Sequence, residues 1–202
     1  MSTLTQLKRR LSEGQVYRRN DLTQWSKSVD RHLKALLDDG TLKKLRQGVY
    51  HFPKRSAFGN TPPEEERLVR TFLKDDRFLL TSPNAYNSLG VGTTQLYNKR
   101  VVYNHKRTGE FKLGNRSFTF RIKPHFPQKA TEEFLLVDLV NNLKDLAEDQ
   151  EAILKNLPHK VQTMNKSRLA KAVREYGGVK AQKIFELLLK QENGRQDISP
   201  RP

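Results

Sequence analysis

The stretch from Ser26 to Pro53, SKSVDRHLKALLDDGTLKKLRQGVYHFP, limits what the start of this chain can fold into. Its apolar residues recur with the spacing of one face of a helix. We expect this helix to end at Gly40. Two short apolar and basic runs follow, joined across Gly48, a residue that readily adopts the positive φ of a tight turn. The pattern predicts a helix followed directly by a two-stranded ribbon. The residues of the helical stripe are Val29, Leu33, Leu36 and Leu37.

Two shorter helices are predicted before this one, which makes it the third. The first ends at Gly14, and the second is expected to begin at Arg19 or Asn20 and to end at Trp25. Ser26 or Ser28 is expected to cap the third helix. Three helices followed by a ribbon, with strands at 41–45 and 49–52, are typical of a winged helix-turn-helix. The apolar residues of the first helix are Leu4, Leu7 and Leu11.

Basic residues form a second face on the third helix. Lys27, Arg31 and Lys34 are four and three residues apart, so they share one side of the helix. In a helix-turn-helix the N-terminal part of this helix reads base edges in the major groove, whereas the ribbon holds the phosphate backbone. A solvated face with no ligand, or a surface that docks another protein, would have the same pattern. The predicted DNA contacts are Arg19, Ser26, Lys27, Ser28, Arg31, Lys34, Lys43, Lys44, Arg46, Gln47, Lys54 and Arg55.

Charge also favours a polyanionic partner. The chain has 38 Lys and Arg against 22 Asp and Glu, a formal net charge of +16. The excess lies in residues 1–60, with 13 basic and 5 acidic side chains, and in residues 61–130, with 13 and 6. Residues 131–202 hold 12 basic and 11 acidic side chains, so they are nearly neutral. We therefore expect double-stranded DNA to contact the first two thirds of the chain.

The rest of the sequence predicts a second domain. Residues 56–63 lack periodicity and are rich in Pro and Gly, which indicates a linker, and Thr61 to Glu64 resembles a capped helix start. Short β-branched and aromatic runs at 77–124 predict a small antiparallel sheet. Helical spacing from Thr131 onward predicts three or four helices. The fold class expected is α+β: a winged helix-turn-helix at 1–55 and an α+β domain at 64–195.

Two segments carry a family resemblance. DDGTLKKLRQGVYHFP resembles the wing of AbiEi-type antitoxin regulators of bacterial type IV toxin–antitoxin systems, and GVGTTQLYNKRVVYNHKRTGEFKLGNRSFTFRIKP is similar to their second-domain stretch. The resemblance covers about residues 15–125. It implies a DNA-binding antitoxin that represses its own operon at inverted repeats. It also implies neutralisation of a nucleotidyltransferase-like toxin without a stable complex.

Other function classes have weaker signals. The five histidines have no metal-ligand spacing, no phosphate-binding glycine motif occurs, and cysteine is absent. We therefore expect no enzyme activity, no metal and no cofactor. We also expect no signal peptide, no membrane association and a cytoplasmic location. Regulation of another operon and RNA binding remain alternatives. RNA would need exposed aromatic residues in the strands; the candidates are Tyr97, Tyr103, Phe111, Phe118 and Phe120.

Overall fold

The computed structural model describes residues 3–196, with side chains as far as Gln191. The chain forms two compact units, and each is built from two separate stretches. The division does not follow the boundary expected at residues 56–63. The predicted mixture of helices and small antiparallel sheets is confirmed. The first unit extends to Phe78 and includes Lys106–Phe120, and the second consists of Leu79–His105 and the chain from Arg121 onward.

The first unit begins with three helices and a three-stranded sheet. The sheet has the strand order β1-β3-β2, and both pairs are antiparallel. Gly48 has φ 73° and makes the turn between β2 and β3. The elements in chain order are α1 Thr3–Arg10, β1 Val16–Arg18, α2 Arg19–Leu22, α3 Val29–Asp38, β2 Lys43–Arg46 and β3 Val49–His51.

An apolar core joins these elements. It consists of side chains from all three helices and from the sheet, and each of them is less than a tenth exposed. The helical stripe predicted for α3 contributes to this core, although Leu37 is only partly buried. The fully buried members of the cluster are Leu7, Leu11, Leu22, Val29, Leu33, Leu36, Leu42 and Tyr50.

Several boundaries differ from the sequence prediction. The first helix ends at Arg10 and not at Gly14, and the second ends at Leu22 and not at Trp25. Strand β1 was not predicted, because three residues are too few to show an alternating pattern. Its formation depends on pairing with β3, in which Tyr17 lies opposite Tyr50. Local sequence therefore identified the helices better than it identified their ends.

The segment predicted as a linker has structure of its own. Strands β4 (Arg55–Ser56) and β5 (Gly59–Asn60) form a short antiparallel hairpin. Thr61 does not cap the next helix; its hydroxyl donates to the carbonyl oxygen of Lys54 at 3.0 Å. The N-cap of helix α4 (Glu65–Leu73) is Glu64, which makes no side-chain capping hydrogen bond.

The predicted strands and C-terminal helices follow. β8 and β9 form an antiparallel hairpin, in which Phe111 lies opposite Phe118. Beyond it, in the second unit, the amide of Lys123 donates to the carbonyl oxygen of Asn104 at 3.1 Å. A 3₁₀ segment, Pro83–Leu89, follows strand β6 (Phe78–Thr81). The elements are β6 Phe78–Thr81, β7 Arg100–Asn104, β8 Gly109–Leu113, β9 Arg116–Ile122, α5 Glu132–Asn142, α6 Gln150–Thr163, α7 Lys166–Tyr176 and α8 Val179–Gln196.

Helix α5 is the centre of the second unit. Every residue from Phe134 to Val140 is buried, so the helix is covered on all sides. A helix that is apolar all round has no solvent face and belongs inside a larger core. Its one charged residue in this run, Asp138, is fully buried and therefore needs partners.

The partners of Asp138 come from other elements of the second unit. The hydroxyls of Tyr86 and Tyr103 donate to its carboxylate at 2.8 and 2.9 Å, and the ammonium of Lys123 lies 2.7 Å away. The side-chain amide of Asn142 donates to both tyrosine hydroxyls. Burial, together with the negative charge of Asp138, raises the pKa of both tyrosines, so they stay protonated donors.

We predict that Asp138→Ala lowers the free energy of unfolding by about 3 kcal/mol, because it leaves a partly buried ammonium and two hydroxyls without their acceptor. Urea unfolding followed by circular dichroism measures the change. The matched control is Asp145→Ala, which removes an exposed partner of Arg121 and should cost less than about 1 kcal/mol. Equal costs for the two variants would contradict the prediction.

Candidate nucleic-acid interface

Three exposed basic side chains lie on α3 or in the turn before it. Lys27 comes just before the helix, and Arg31 and Lys34 lie one and two turns farther on; all three are exposed. Within residues 3–191 none of them forms an ion pair with an acidic side chain. The buried face of α3, which includes Leu33, places Arg31 and Lys34 on the outside. Lys27 lies in the turn before the helix and not on the helical face predicted from its spacing, because α3 begins only at Val29. We call Lys27, Arg31 and Lys34 the basic row.

A buried hydrogen bond fixes the start of α3. The hydroxyl of Ser26 and Nδ1 of His32 lie 2.7 Å apart, and each residue is 5% exposed. Ser26 was predicted to contact DNA, but its side chain is buried and does not reach the surface. It is a positioning residue that holds the turn before α3 through His32. Ser28 is exposed and is the N-cap residue, but its side chain makes no capping hydrogen bond.

Arg19 differs from the basic row because its charge is already paired. Its guanidinium donates to both carboxylate oxygens of Asp30, at 2.7 and 2.6 Å. This hydrogen bonding lowers the pKa of Asp30 and raises that of Arg19. A bidentate pair holds both side chains in one geometry. A phosphate would have to compete with Asp30 for the Arg19 guanidinium, so Arg19 is less available to an anion than the sequence suggested.

The ribbon holds its basic residues in two different ways. Lys43 and Lys44 are exposed at its base, whereas the guanidinium of Arg46 lies over two aromatic rings, 5.3 Å from the centroid of Phe72 and 4.8 Å from that of Phe111. These cation–π contacts hold the Arg46 side chain against α4 and β8 of the first unit. Arg46 was predicted to contact DNA from the ribbon. The sequence alone did not indicate its aromatic partners.

The remaining predicted contacts are exposed but belong to different elements. Gln47 lies at the tip of the ribbon, next to Gly48. Lys54 and Arg55 lie at the start of the β4–β5 hairpin, outside the helices and the ribbon. The guanidinium of Arg107 lies 4.8 Å from the Phe72 centroid, a contact that the sequence did not indicate. Its position follows from chain pairing across the first unit, which no local pattern reveals.

The aromatic residues of the strands are mostly core. Tyr103, Phe118 and Phe120 are at most 1% exposed, and Phe111 is covered by Arg46. Buried rings cannot stack on unpaired bases, which removes the main support for RNA binding. Tyr97 is partly exposed, and its hydroxyl accepts a hydrogen bond from the Ala147 amide.

Among residues 3–196, no group of three or more His, Asp or Glu side chains has a geometry that could hold a metal ion. Over the same residues, no helix combines the length and the apolar character needed to cross a bilayer.

Comparisons with known proteins give a family and a fold. The model of DUF6088, described as a family of unknown function, matches residues 5–173, so the chain belongs to this family. Among solved structures, the crystal structure of the RV2827C protein from Mycobacterium tuberculosis is similar, with a TM-score of 0.55 and 16% identity. The likeness covers 93% of this chain and 74% of that one, and at this identity it shows the fold alone. None of the curated proteins matches the sequence.

We predict that Ser26→Ala lowers the free energy of unfolding by about 1–2 kcal/mol, because the buried His32 ring loses its hydrogen-bond partner. Thermal or urea unfolding measures the effect. Ser28→Ala is the matched control: Ser28 is exposed and makes no capping bond, so its loss should cost less than about 0.5 kcal/mol. A larger effect at Ser28 than at Ser26 would show that the capping assignment is wrong.

Proposed function

We propose that this member of the DUF6088 family binds double-stranded DNA through helix α3. The observation that carries the proposal is the basic row, Lys27, Arg31 and Lys34, which is exposed and has no acidic partner within residues 3–191. Positive side chains held together without counter-charges attract the phosphate backbone and release its bound cations.

We further propose that the first 55 residues form a winged helix. In support, the order α1, β1, α2, α3, β2, β3, with β3 between β1 and β2, provides a helix pair followed by a ribbon. In such a unit α3 enters the major groove with its N-terminal residues toward the bases. Lys27, Ser28 and Arg31 then contact base edges, and Lys34 contacts a phosphate.

The ribbon and the following hairpin supply the backbone contacts in this proposal. Gln47 at the ribbon tip and Lys54 and Arg55 on the hairpin are exposed, and contacts of this kind set register without reading sequence. Arg46 contributes less, because it is held over Phe72 and Phe111. Duplex DNA is favoured over RNA because most of the aromatic residues that would stack bases are buried.

Repression of an operon at inverted repeats and neutralisation of a nucleotidyltransferase-like toxin form the second part of the proposal. This part is supported by the resemblance of residues 15–125 to AbiEi-type regulators and not by the family match, whose description states no function. The nearly neutral C-terminal segment, residues 131–202, is the region in which we place toxin neutralisation, because its charge gives it little affinity for DNA.

We predict separate effects for two residues of the basic row. Arg31→Ala should weaken binding to a duplex selected from a random library by about 1–3 kcal/mol and relax its sequence preference. Lys34→Ala should weaken binding to all duplexes alike and reduce the slope of log K against log salt by about 1. Fluorescence anisotropy at several salt concentrations measures both effects.

The control for this experiment is Lys155→Ala, which removes an exposed lysine from α6 in the second unit and should leave duplex binding unchanged. Wild-type binding that does not vary with salt would exclude DNA as the partner. A change in sequence preference from Lys34→Ala but not from Arg31→Ala would reverse the assignment of base and phosphate contacts.

We predict that DNA binding and toxin neutralisation are separable in the full chain. The triple substitution of Lys27, Arg31 and Lys34 by Ala should abolish repression of a reporter under the chain's own promoter. It should still restore growth to cells that express a nucleotidyltransferase-like toxin encoded beside it. If the triple variant fails to restore growth while the wild type succeeds, neutralisation acts through repression alone.

A further inference from the structure

Phe58 lies at the tip of the β4–β5 hairpin and is fully exposed, so no other side chain covers its ring. Every residue from Lys54 to Asn60 is exposed as well, and the hairpin therefore adds nothing to the core of the first unit. A phenyl ring is poorly suited to water, and its burial against a partner is favourable. The hairpin is thus a candidate surface for an interaction with another molecule.

Hydrogen bonds within the hairpin hold this tip in shape. The amide of Thr61 donates to the carbonyl oxygen of Lys54 at 2.9 Å and closes the base. The hydroxyl of Ser56 accepts a hydrogen bond from the Phe58 amide at 3.3 Å and donates to the carbonyl oxygen of Gly59 at 2.8 Å. Gly59 has φ +99°, a conformation that residues with a side chain rarely adopt. The turn therefore presents Phe58 to solvent in a defined backbone conformation, without support from the core.

The charge beside the ring has one sign. Residues 40–63 contain five basic side chains and no acidic one. Two of the five, Lys54 and Arg55, lie at the start of the hairpin, are exposed and have no acidic partner within residues 3–191. They are four and three residues from Phe58, so the chain itself keeps them close to the ring. A suitable partner therefore offers negative charge next to a flat apolar surface, which is how phosphates and bases are arranged in nucleic acid.

The number of exposed rings favours a duplex over a single strand. Proteins that bind single strands stack successive bases on several aromatic side chains, but Tyr103, Phe118 and Phe120 are buried. Proteins that bend a duplex through the minor groove insert an apolar side chain such as Phe between two base pairs. A lipid surface is less well matched, because binding to it increases with the apolar area that is buried and one ring supplies little. One exposed ring with two cations beside it fits the duplex.

Chain length allows the hairpin to reach a minor groove beside α3. Strand β3 runs from the ribbon turn at Gly48 to His51, and the hairpin begins beyond the other end of this strand. A minor groove lies on each side of the major groove, half a helical turn or about 17 Å away. Phe58 is seven residues beyond His51, and an extended chain covers about 17 Å in about five residues. The chain is therefore long enough for the ribbon turn and the hairpin to contact minor grooves on opposite sides of α3.

We propose that the β4–β5 hairpin inserts the Phe58 ring between two base pairs in the minor groove beside α3. Lys54 and Arg55 bind the phosphates next to the insertion. The duplex is kinked at this step, and flexible pyrimidine–purine steps such as TA are favoured because they unstack most easily. The insertion rests on the DNA binding proposed for α3, and it adds a sequence preference outside the major groove.

Binding of the full chain to a duplex selected from a random library tests the role of the ring. Phe58→Ala should weaken binding at least about fivefold but leave the slope of log K against log salt unchanged, because the ring carries no charge. Lys54→Ala/Arg55→Ala should reduce the same slope by about 2. The matched control is Leu96→Ala, which removes another exposed apolar side chain, this one from the second unit, and should bind as the wild type does.

A second readout detects the insertion directly. 2-Aminopurine, placed in turn at each step of the selected duplex, should become more fluorescent at one pyrimidine–purine step when the wild-type chain binds, because the base there is unstacked. Dyes at the two ends of the duplex should come closer together, since the kink bends the DNA. Both changes should be lost in Phe58→Ala at saturation. The side chain is fully exposed, so its removal should leave the fold intact, which circular dichroism checks.

The outcomes separate the hairpin from α3. If the wild type binds with a salt dependence, and Phe58→Ala has the same affinity, fluorescence and end-to-end distance, the insertion is overturned and DNA binding through α3 stands. A wild-type chain that binds no duplex would overturn both. Binding of the wild type, but not of Phe58→Ala, to vesicles of phosphatidylserine and phosphatidylcholine, with no effect of the substitution on duplex binding, would assign the hairpin to a lipid surface and overturn the insertion.

Discussion

The burial of one face of α3 is the constraint on which the first unit depends. Leu33 and Leu36 are at most 3% exposed and pack in the same core as Leu7 and Leu22. Because helical side chains have fixed angular positions, burying this stripe sets the rotation of α3 and directs Arg31 and Lys34 outward. The Ser26–His32 hydrogen bond then fixes the start of the helix. Apolar packing and one polar contact together determine where the positive charge is presented.

The ribbon is held by contacts from other parts of the first unit. Arg46 lies over Phe72 and Phe111, and the carbonyl oxygen of Leu45 accepts a hydrogen bond from the β8–β9 turn. Both contacts use residues that are distant in sequence and close in the first unit. A ribbon already held in position has less conformational freedom left to lose in any binding event.

Sequence reasoning succeeded where a pattern is local and failed where partners are distant. The stripe of α3, the turn at Gly48 and the C-terminal helices follow from periodicity and glycine conformation. Strand β1, the partners of Arg46 and the burial of Asp138 depend on pairings between separate stretches, which one sequence does not show. For the candidate site, the exposure of Arg31 and Lys34 on α3 could be predicted. The position of Lys27 before the helix, the burial of Ser26 and the pairing of Arg19 with Asp30 could not.

The first unit is discontinuous in sequence, and this has a consequence for how it can form. Its core elements come early in the chain, but Lys106–Phe120 completes it, and Phe111 and Phe120 contact Phe72. During synthesis the early helices emerge well before these rings do, so the unit closes only after the intervening stretch has been made. Such long-range closure slows folding relative to local helix formation. A truncation between residues 73 and 106 would remove Phe111 and Phe120 and leave the Phe72 ring without these contacts, so binding should be measured on the intact chain.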